Sequence, residues 1–250
     1  MSPKRPESAP STFVQAAATV AQIWRADLDD TGWDRFQYVL SQEEEDKAKR
    51  YRTARLAAHY RRCRSILRLL LADNAGQDPA QIVLRYGWAG KPEAVGMSCH
   101  FNVSHTEGRS LIALSPHPVG IDIENTAREH IRMEELVHLV CHSDEQAALA
   151  ALSPALRQSF LYRLWVQKEA YCKALGSGLQ SDLRSLRFEP TTAAGVARVL
   201  DAAHPDAGVY YVRTWHERDA SVASLCLPLC DGAIVTRRLA PHDCAEAMLA

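Results

Sequence analysis

Two short stretches hold the residue types that could manage phosphate chemistry. Gly120-Ile-Asp-Ile-Glu124 alternates apolar and acidic residues. In an extended strand Val119, Ile121 and Ile123 face one way while Asp122 and Glu124 face the other, about 6 to 7 Å apart. That spacing suits one hard cation. Downstream, Trp165-Val-Gln-Lys-Glu-Ala-Tyr-Cys-Lys-Ala-Leu-Gly-Ser-Gly178 reads as a helix. Glu169 and Lys173, four apart, project from the face that carries Trp165. A third carboxylate and an ammonium beside the strand acids suggest Mg²⁺ holding a pyrophosphate.

Each feature has a blander reading. A carboxylate pair on a strand is often its solvated face, and a helical Glu/Lys pair four apart is often a surface ion pair worth about 0.2–0.5 kcal/mol. The apolar partners Val119, Ile121 and Ile123 weigh against the first, because they would anchor one side in a core and leave both acids on the other. Two further motifs add phosphate-binding potential. Gly90-Lys91-Pro92 joins a flexible backbone position, a point charge and a rigid turn. Phe101-Asn-Val-Ser-His105 alternates apolar Phe101 and Val103 with polar Asn102 and Ser104, then delivers His105 at a strand end, where it could donate to a phosphate oxygen. Alone, Gly-Lys-Pro is an exposed turn and a lone histidine is a structural group.

Other chemistries are excluded by pattern. His138, Cys141 and His142 cluster without the HExxH order of a zinc hydrolase, and neither a P-loop, a Gly-x-Gly-x-x-Gly nor a Gly-x-Ser-x-Gly motif occurs. With 250 residues, 47% hydrophobic and 24% charged, the chain has the composition of a soluble protein that buries one large core or two modest ones. Seven cysteines show no CxxC pair and no zinc spacing, which predicts a reducing, cytoplasmic setting. No apolar run is long enough for a membrane span, and no compact apolar region follows Lys4-Arg5 as a signal peptide would require. The net charge of -1 hides an asymmetry: residues 47 to 68 hold nine Lys or Arg and no Asp or Glu. Such a block is either a solvated helix face or, beside the other phosphate-binding features, the footprint of an anionic partner.

The elements that must position these residues follow from spacing. Residues 1–19 read as a disordered tail and 20–27 as a short strand. Ser41 with Glu44 spells a capping box opening a helix. From Leu56, apolar positions recur every three or four residues until Asn74 and Gly76 end a second helix. Strands are predicted over Gln81–Tyr86, Cys99–Ser104 and Leu111–Ser115, followed by the acidic strand, with Gly87–Gly96 a loop. In the second half Ser143 with Gln146 offers another capping box. Ser153-Pro154 caps a long helix that Gly176 stops, and strands are predicted near Ser185–Phe188, Val209–His216 and Ala220–Cys226. Both halves read as helices followed by strands, which predicts an α+β fold of two similar lobes, 20–118 and 119–250.

Read in order, Gly90-Lys-Pro, Phe101-Asn-Val-Ser-His105, Gly120-Ile-Asp-Ile-Glu124 and Trp165-x-x-Lys-Glu-Ala-x-x-Lys173-Ala-Leu-Gly-x-Gly178 resemble the Sfp-type 4′-phosphopantetheinyl transferases. The resemblance implies a monomer of two lobes related by pseudo-twofold symmetry, with coenzyme A and Mg²⁺ between them. It implies transfer of the phosphopantetheine arm to a serine of an apo acyl or peptidyl carrier protein, releasing 3′,5′-ADP. Residue by residue, Asp122, Glu124 and Glu169 match the family's metal-binding acids, with Glu169 also matching the base for the serine hydroxyl. His105 and Lys173 match groups on the pyrophosphate. Lys91, Pro92 and Ser104 match positions around the nucleotide and its 3′-phosphate, and Lys47 matches a basic position of the first helical region. Glu44 stands where some members place a second lysine and His59 where an arginine is frequent, leaving Arg55, Arg61 or Arg62 as candidate substitutes. Two rivals remain: a non-catalytic coenzyme A or carrier-protein binder of the same fold, and a nucleic-acid binder using the basic helix, which lacks the interleaved aromatics of a stacking platform.

Overall fold

The computed structural model describes residues 19–127, 133–178, 182–217 and 220–247. The tail expected over 1–19 lies outside these, apart from Thr19. In chain order the elements begin with strand β1 (Thr19–Asp27), a 3₁₀ segment over Thr31–Val39, and helices α1 (Gln42–Ala48) and α2 (Ala54–Ala75). Five strands follow: β2 (Leu84–Tyr86), β3 (Pro92–Ala94), β4 (His100–Thr106), β5 (Arg109–Ser115) and β6 (Gly120–Asn125). Helices α3 (Met133–Val140), α4 (Ser143–Ala151) and α5 (Pro154–Leu175) come next. The chain closes with β7 (Leu186–Pro190), β8 (Val196–Asp201), β9 (Tyr211–His216), β10 (Ser221–Leu227), β11 (Ala233–Leu239) and α6 (Pro241–Ala247). This is the expected α+β composition. No helix of the described residues is long and apolar enough to cross a membrane.

The chain divides into two compact units that do not follow chain order. One holds residues 27–83 together with α6. Its helices start and stop where the sequence says they should. Ser41 Oγ accepts from Glu44 N while Glu44 Oε2 accepts from Ser41 N, completing the capping box. Thr53 caps α2 and Gly76, at φ 63°, closes it in the left-handed conformation.

The basic block belongs to this unit, and its arginines are largely turned to internal partners. Arg62 reaches Asp34 at 2.7 Å and also donates to Leu28 O. Arg61 pairs with Glu45 at 2.9 Å, and Arg55 and His59 share Asp29. Arg64 and Arg68 clasp Glu44 at 2.7 and 2.6 Å. Burial works to raise the Glu44 carboxyl, but Arg64, the Ser41 N–H and Arg68 together hold it below the usual carboxylate range. Glu44 is therefore a structural keystone, which explains a glutamate there. Arg55, Arg61 and Arg62, the candidate substitutes at a phosphate, each pair with an acid. The neutralising acids lie between Asp29 and Glu45, outside any local charge window. Lys47, Lys49, Arg50 and Arg52 remain exposed. The Lys47 ammonium sits 5.5 Å over the Tyr60 ring.

The second unit holds β1 and residues 84–238, and carries two larger sheets with strand orders β11-β1-β5-β4 and β6-β10-β9-β8-β7. A core of Ile23, Leu111, Val119, Ile121, Ile123 and Leu225 joins residues of both sheets, and the predicted apolar side of β6 lies in it. Helix α5 enters through Pro154 and ends at Gly176, φ 72°, whose N–H donates to Cys172 O. It is buried along most of its second half, packed on β6 and β10. Four expectations shift, the first being that Ser153 stands at the N-cap of α5 without a side-chain cap bond. The cap of α4 is His142 with Glu145, one residue before the predicted Ser143/Gln146, because the imidazole accepts from Asp144 N and Glu145 accepts from His142 N. The predicted loop 87–96 contains β3, paired antiparallel with β2. Strands β8 and β11, absent from the sequence reading, complete the sheets.

Candidate active site

Strand β6 pairs antiparallel with β10, Asp122 opposite Ser224 and Glu124 opposite Val222. With Ile121 and Ile123 in the core, alternation sends both acids to the other face, as the sequence predicts. Asp122 is buried and Glu124 half-buried. Helix α5 supplies Glu169 and Lys173 to the same place: the Lys173 ammonium stands 2.6 Å from Asp122 Oδ1. Lys173 also donates to Ser104 Oγ at 3.3 Å, and Ser104 in turn donates to Asp122 Oδ1 at 2.8 Å. Burial is the main force lifting the Glu169 carboxyl to about 7. Lys173 pulls it down, while the charges of Asp122 and Glu124 push it up.

What seats β6 here was only half legible. Its edge away from β10 meets β4 through side chains: Asn102 Oδ1 accepts from Ile121 N at 2.8 Å and Ser104 Oγ from Ile123 N at 3.3 Å. Two polar residues at alternate positions of β4 thus stand in for a partner strand and stitch the two sheets together. Sequence reasoning placed Asn102 on a polar face without a role. The available signal was that Asn and Ser two apart on an apolar-patterned strand must find partners if that side is buried. Asn102→Ala leaves the Ile121 N–H without an acceptor in a buried seam, and is expected to lower stability by about 1–3 kcal/mol in denaturant unfolding. An unchanged midpoint would show the seam to be dispensable.

Ser104, matched by the resemblance to a position around the nucleotide, lies in the acid–lysine cluster. Lys91 and Pro92 line a neighbouring cavity of about 400 Å³ with Trp88, His100, Gly176 and Tyr210. Lys91 Nζ donates to Val119 O and Ala174 O, tying the approach to β6 to the end of α5. Burial pushes its ammonium down to about 8, with Glu93 opposing. His105 is exposed on β4, opposite Ser110. Lys47 belongs to the other unit. Trp165 packs partly buried against the core, as its structural reading has it.

Two buried carboxylate oxygens of the cluster are left over from its hydrogen bonds. Asp122 Oδ2 and Glu169 Oε1 have no hydrogen-bond partner. Partnerless carboxylate oxygens gathered with a third acid suit a hard cation in donor chemistry. Among the described residues no three His, Cys, Asp or Glu side chains form a preassembled cage.

Comparison with known proteins adds an independent finding. The family profile of the 4′-phosphopantetheinyl transferase superfamily matches residues 118–226, the span from the edge of β6 to β10. The chain is 31% identical over 169 residues to a Synechocystis sp. protein assigned to the 4′-phosphopantetheinyl transferases, covering 66% of this chain and 68% of that one. It is 36% identical over 104 residues, 42% of each chain, to a 4′-phosphopantetheinyl transferase of Aneurinibacillus migulanus. To the 4′-phosphopantetheinyl transferase Sfp of Bacillus subtilis it is 24% identical over 194 residues, covering 77% of this chain and 84% of that one.

Proposed function

Because the chain belongs to the 4′-phosphopantetheinyl transferase superfamily, among its Sfp-type members, we propose that it carries out that transfer as a holo-carrier-protein synthase. Coenzyme A gives its phosphopantetheine arm to a serine of an apo acyl or peptidyl carrier protein. The serine Oγ forms a bond to the phosphorus bearing the arm, the pyrophosphate P–O bond breaks, and 3′,5′-ADP leaves. The observation that carries this reading is the meeting of Asp122, Glu169 and Lys173 with two buried carboxylate oxygens unpartnered.

Asp122, Glu124 and Glu169 would hold Mg²⁺, which when bound neutralises phosphate charge and fixes the pyrophosphate. The rest falls to the chain itself. Lys91, beside the cavity, binds nucleotide phosphate as a point charge. Lys173 and His105 offset charge growing on the leaving phosphate. Glu169 accepts the serine proton, directly or through water, a contribution of about 10²- to 10⁴-fold for a general base. We propose a cytoplasmic monomer, on the cysteine usage of the sequence and the family resemblance.

The test is intact mass of an apo acyl carrier protein incubated with the protein, coenzyme A and Mg²⁺, beside a chelator control. A gain of one phosphopantetheine arm that disappears with chelator is expected. No gain on several unrelated apo carriers, with coenzyme A still bound, would overturn the transfer and favour the non-catalytic binder.

A further inference from the structure

A second cavity, of about 420 Å³, opens at the β7 edge of the five-stranded sheet and shares no residue with the acid–lysine cluster or the Lys91 cavity. Its cations are Arg187 on β7 and Arg198 on β8. Arg187 lies opposite Leu200, two residues from Arg198, so the two side chains leave the same face of neighbouring strands. Their present partners are loose. Arg187 stands 3.5 Å from Asp144 and Arg198 4.0 Å from Glu189, both carboxylates exposed, whereas the arginines clasping Glu44 sit at 2.6 and 2.7 Å. Such pairs give way to a ligand with small loss.

The acid inside the cavity is already engaged through both oxygens. Asp201 Oδ2 meets Tyr171 OH at 3.0 Å and His204 Nδ1 at 2.9 Å, and Oδ1 accepts from the N–H groups of Ala203 and His204. His204, held by that bond, and Ser185 are further polar groups of the lining, and Leu200 and Val209 add an apolar ledge. The chemistry fits a phosphate oxyanion on a small apolar body.

The cavity also touches the transfer machinery through one aromatic pair. Tyr171 lies on α5 between Glu169 and Lys173 and packs edge-on against Tyr210, ring centroids 5.6 Å apart. Tyr210 lines the Lys91 cavity. We propose that the Arg187–Arg198 cavity is an effector site for a small organic phosphate, and that the Tyr171–Tyr210 pair couples its occupancy to coenzyme A binding. The coupling half rests on the proposed function; the binding half does not.

Phenyl phosphate is the probe, with inorganic phosphate as the anion-only arm. The readout is the His204 ring C–H resonance in the full chain, assigned through His204→Gln. Phenyl phosphate is expected to move it with a millimolar midpoint and inorganic phosphate with a weaker one. The double variant Arg187→Gln/Arg198→Gln should weaken the midpoint about tenfold or more, since charge-assisted hydrogen bonds are lost, and Lys91→Ala should leave it alone. An unmoved resonance, or equal movement in the double variant, overturns the site; equal midpoints for the two probes overturn the apolar half. Saturating phenyl phosphate is expected to change the coenzyme A dissociation constant at least about threefold in the parent protein, with coenzyme A changing the phenyl phosphate midpoint by the same factor. The same change in the double variant means direct competition at the Lys91 cavity, and no change means no coupling; either overturns the effector role. Failure of the parent protein to bind coenzyme A at all would overturn the transfer reading instead.

Discussion

Glu169→Gln is expected to lower single-turnover transfer by at least about a thousandfold while the folded state survives. The factor combines loss of a general base, about 10²- to 10⁴-fold, with loss of one acid from the set proposed for the cation. Survival of the fold follows from the environment of the side chain. Glu169 is buried with Oε1 unpartnered, beside Asp122 and Glu124, and burial already lifts its carboxyl to about 7. The ionised form is thus the strained one. Glutamine keeps the shape without the charge, so the melting temperature should hold or rise. Intact-mass transfer, coenzyme A affinity and thermal melting are to be measured on the same preparation. Transfer within tenfold of the parent protein would remove Glu169 from the chemistry; a collapsed melting temperature would make it a packing residue.

The parts of the site legible from sequence were those set by local geometry. Alternation along Val119–Glu124 fixes which side chains share a face whatever surrounds the strand, and four-residue spacing puts Glu169 and Lys173 on one helical face. What the sequence could not reveal is decided between distant segments. Ser104 and Asn102 sit on the polar side of β4, but only the approach of β6 turns that side into a buried seam. The nine cations of residues 47–68 look unopposed in a sliding window, and acids up to about thirty residues earlier neutralise most of the arginines. Strand β8, Val-Ala-Arg-Val-Leu-Asp, is short and lacks aromatic residues, and flanking strands β7 and β9 hold it extended. The α4 cap slipped by one residue because histidine is outside the usual N-cap set, yet its ring accepts a backbone N–H here.

Gly120→Ala is expected to have the largest effect of any single methyl. Strand β6 approaches α5 so closely at this position that a Cβ would lie 1.9 Å from Ala170 O and 2.4 Å from Ala174 N. Both obstacles are helix backbone, so no rotamer change relieves them. Strand and helix must separate by about an ångström or more, and overpacking of this kind costs typically about 1–3 kcal/mol, occasionally more. The displaced backbone is the one that carries the site: Ala170 follows Glu169, Ala174 follows Lys173, and Gly120 precedes Asp122 by two residues. The 2.6 Å contact between Lys173 and Asp122 spans this gap. A misplacement of about 1 Å in a catalytic constellation can cost on the order of 10² in rate. Gly120→Ala should therefore melt lower and, assayed well below its new melting temperature, transfer at about a hundredth of the parent rate or less. A lower melting temperature with full transfer would mean that the helix returns to its place at the cost of stability alone. Unchanged values of both would show that β6 and α5 do not approach as closely as described, and the placement of Glu169 and Lys173 against Asp122 would fall with them.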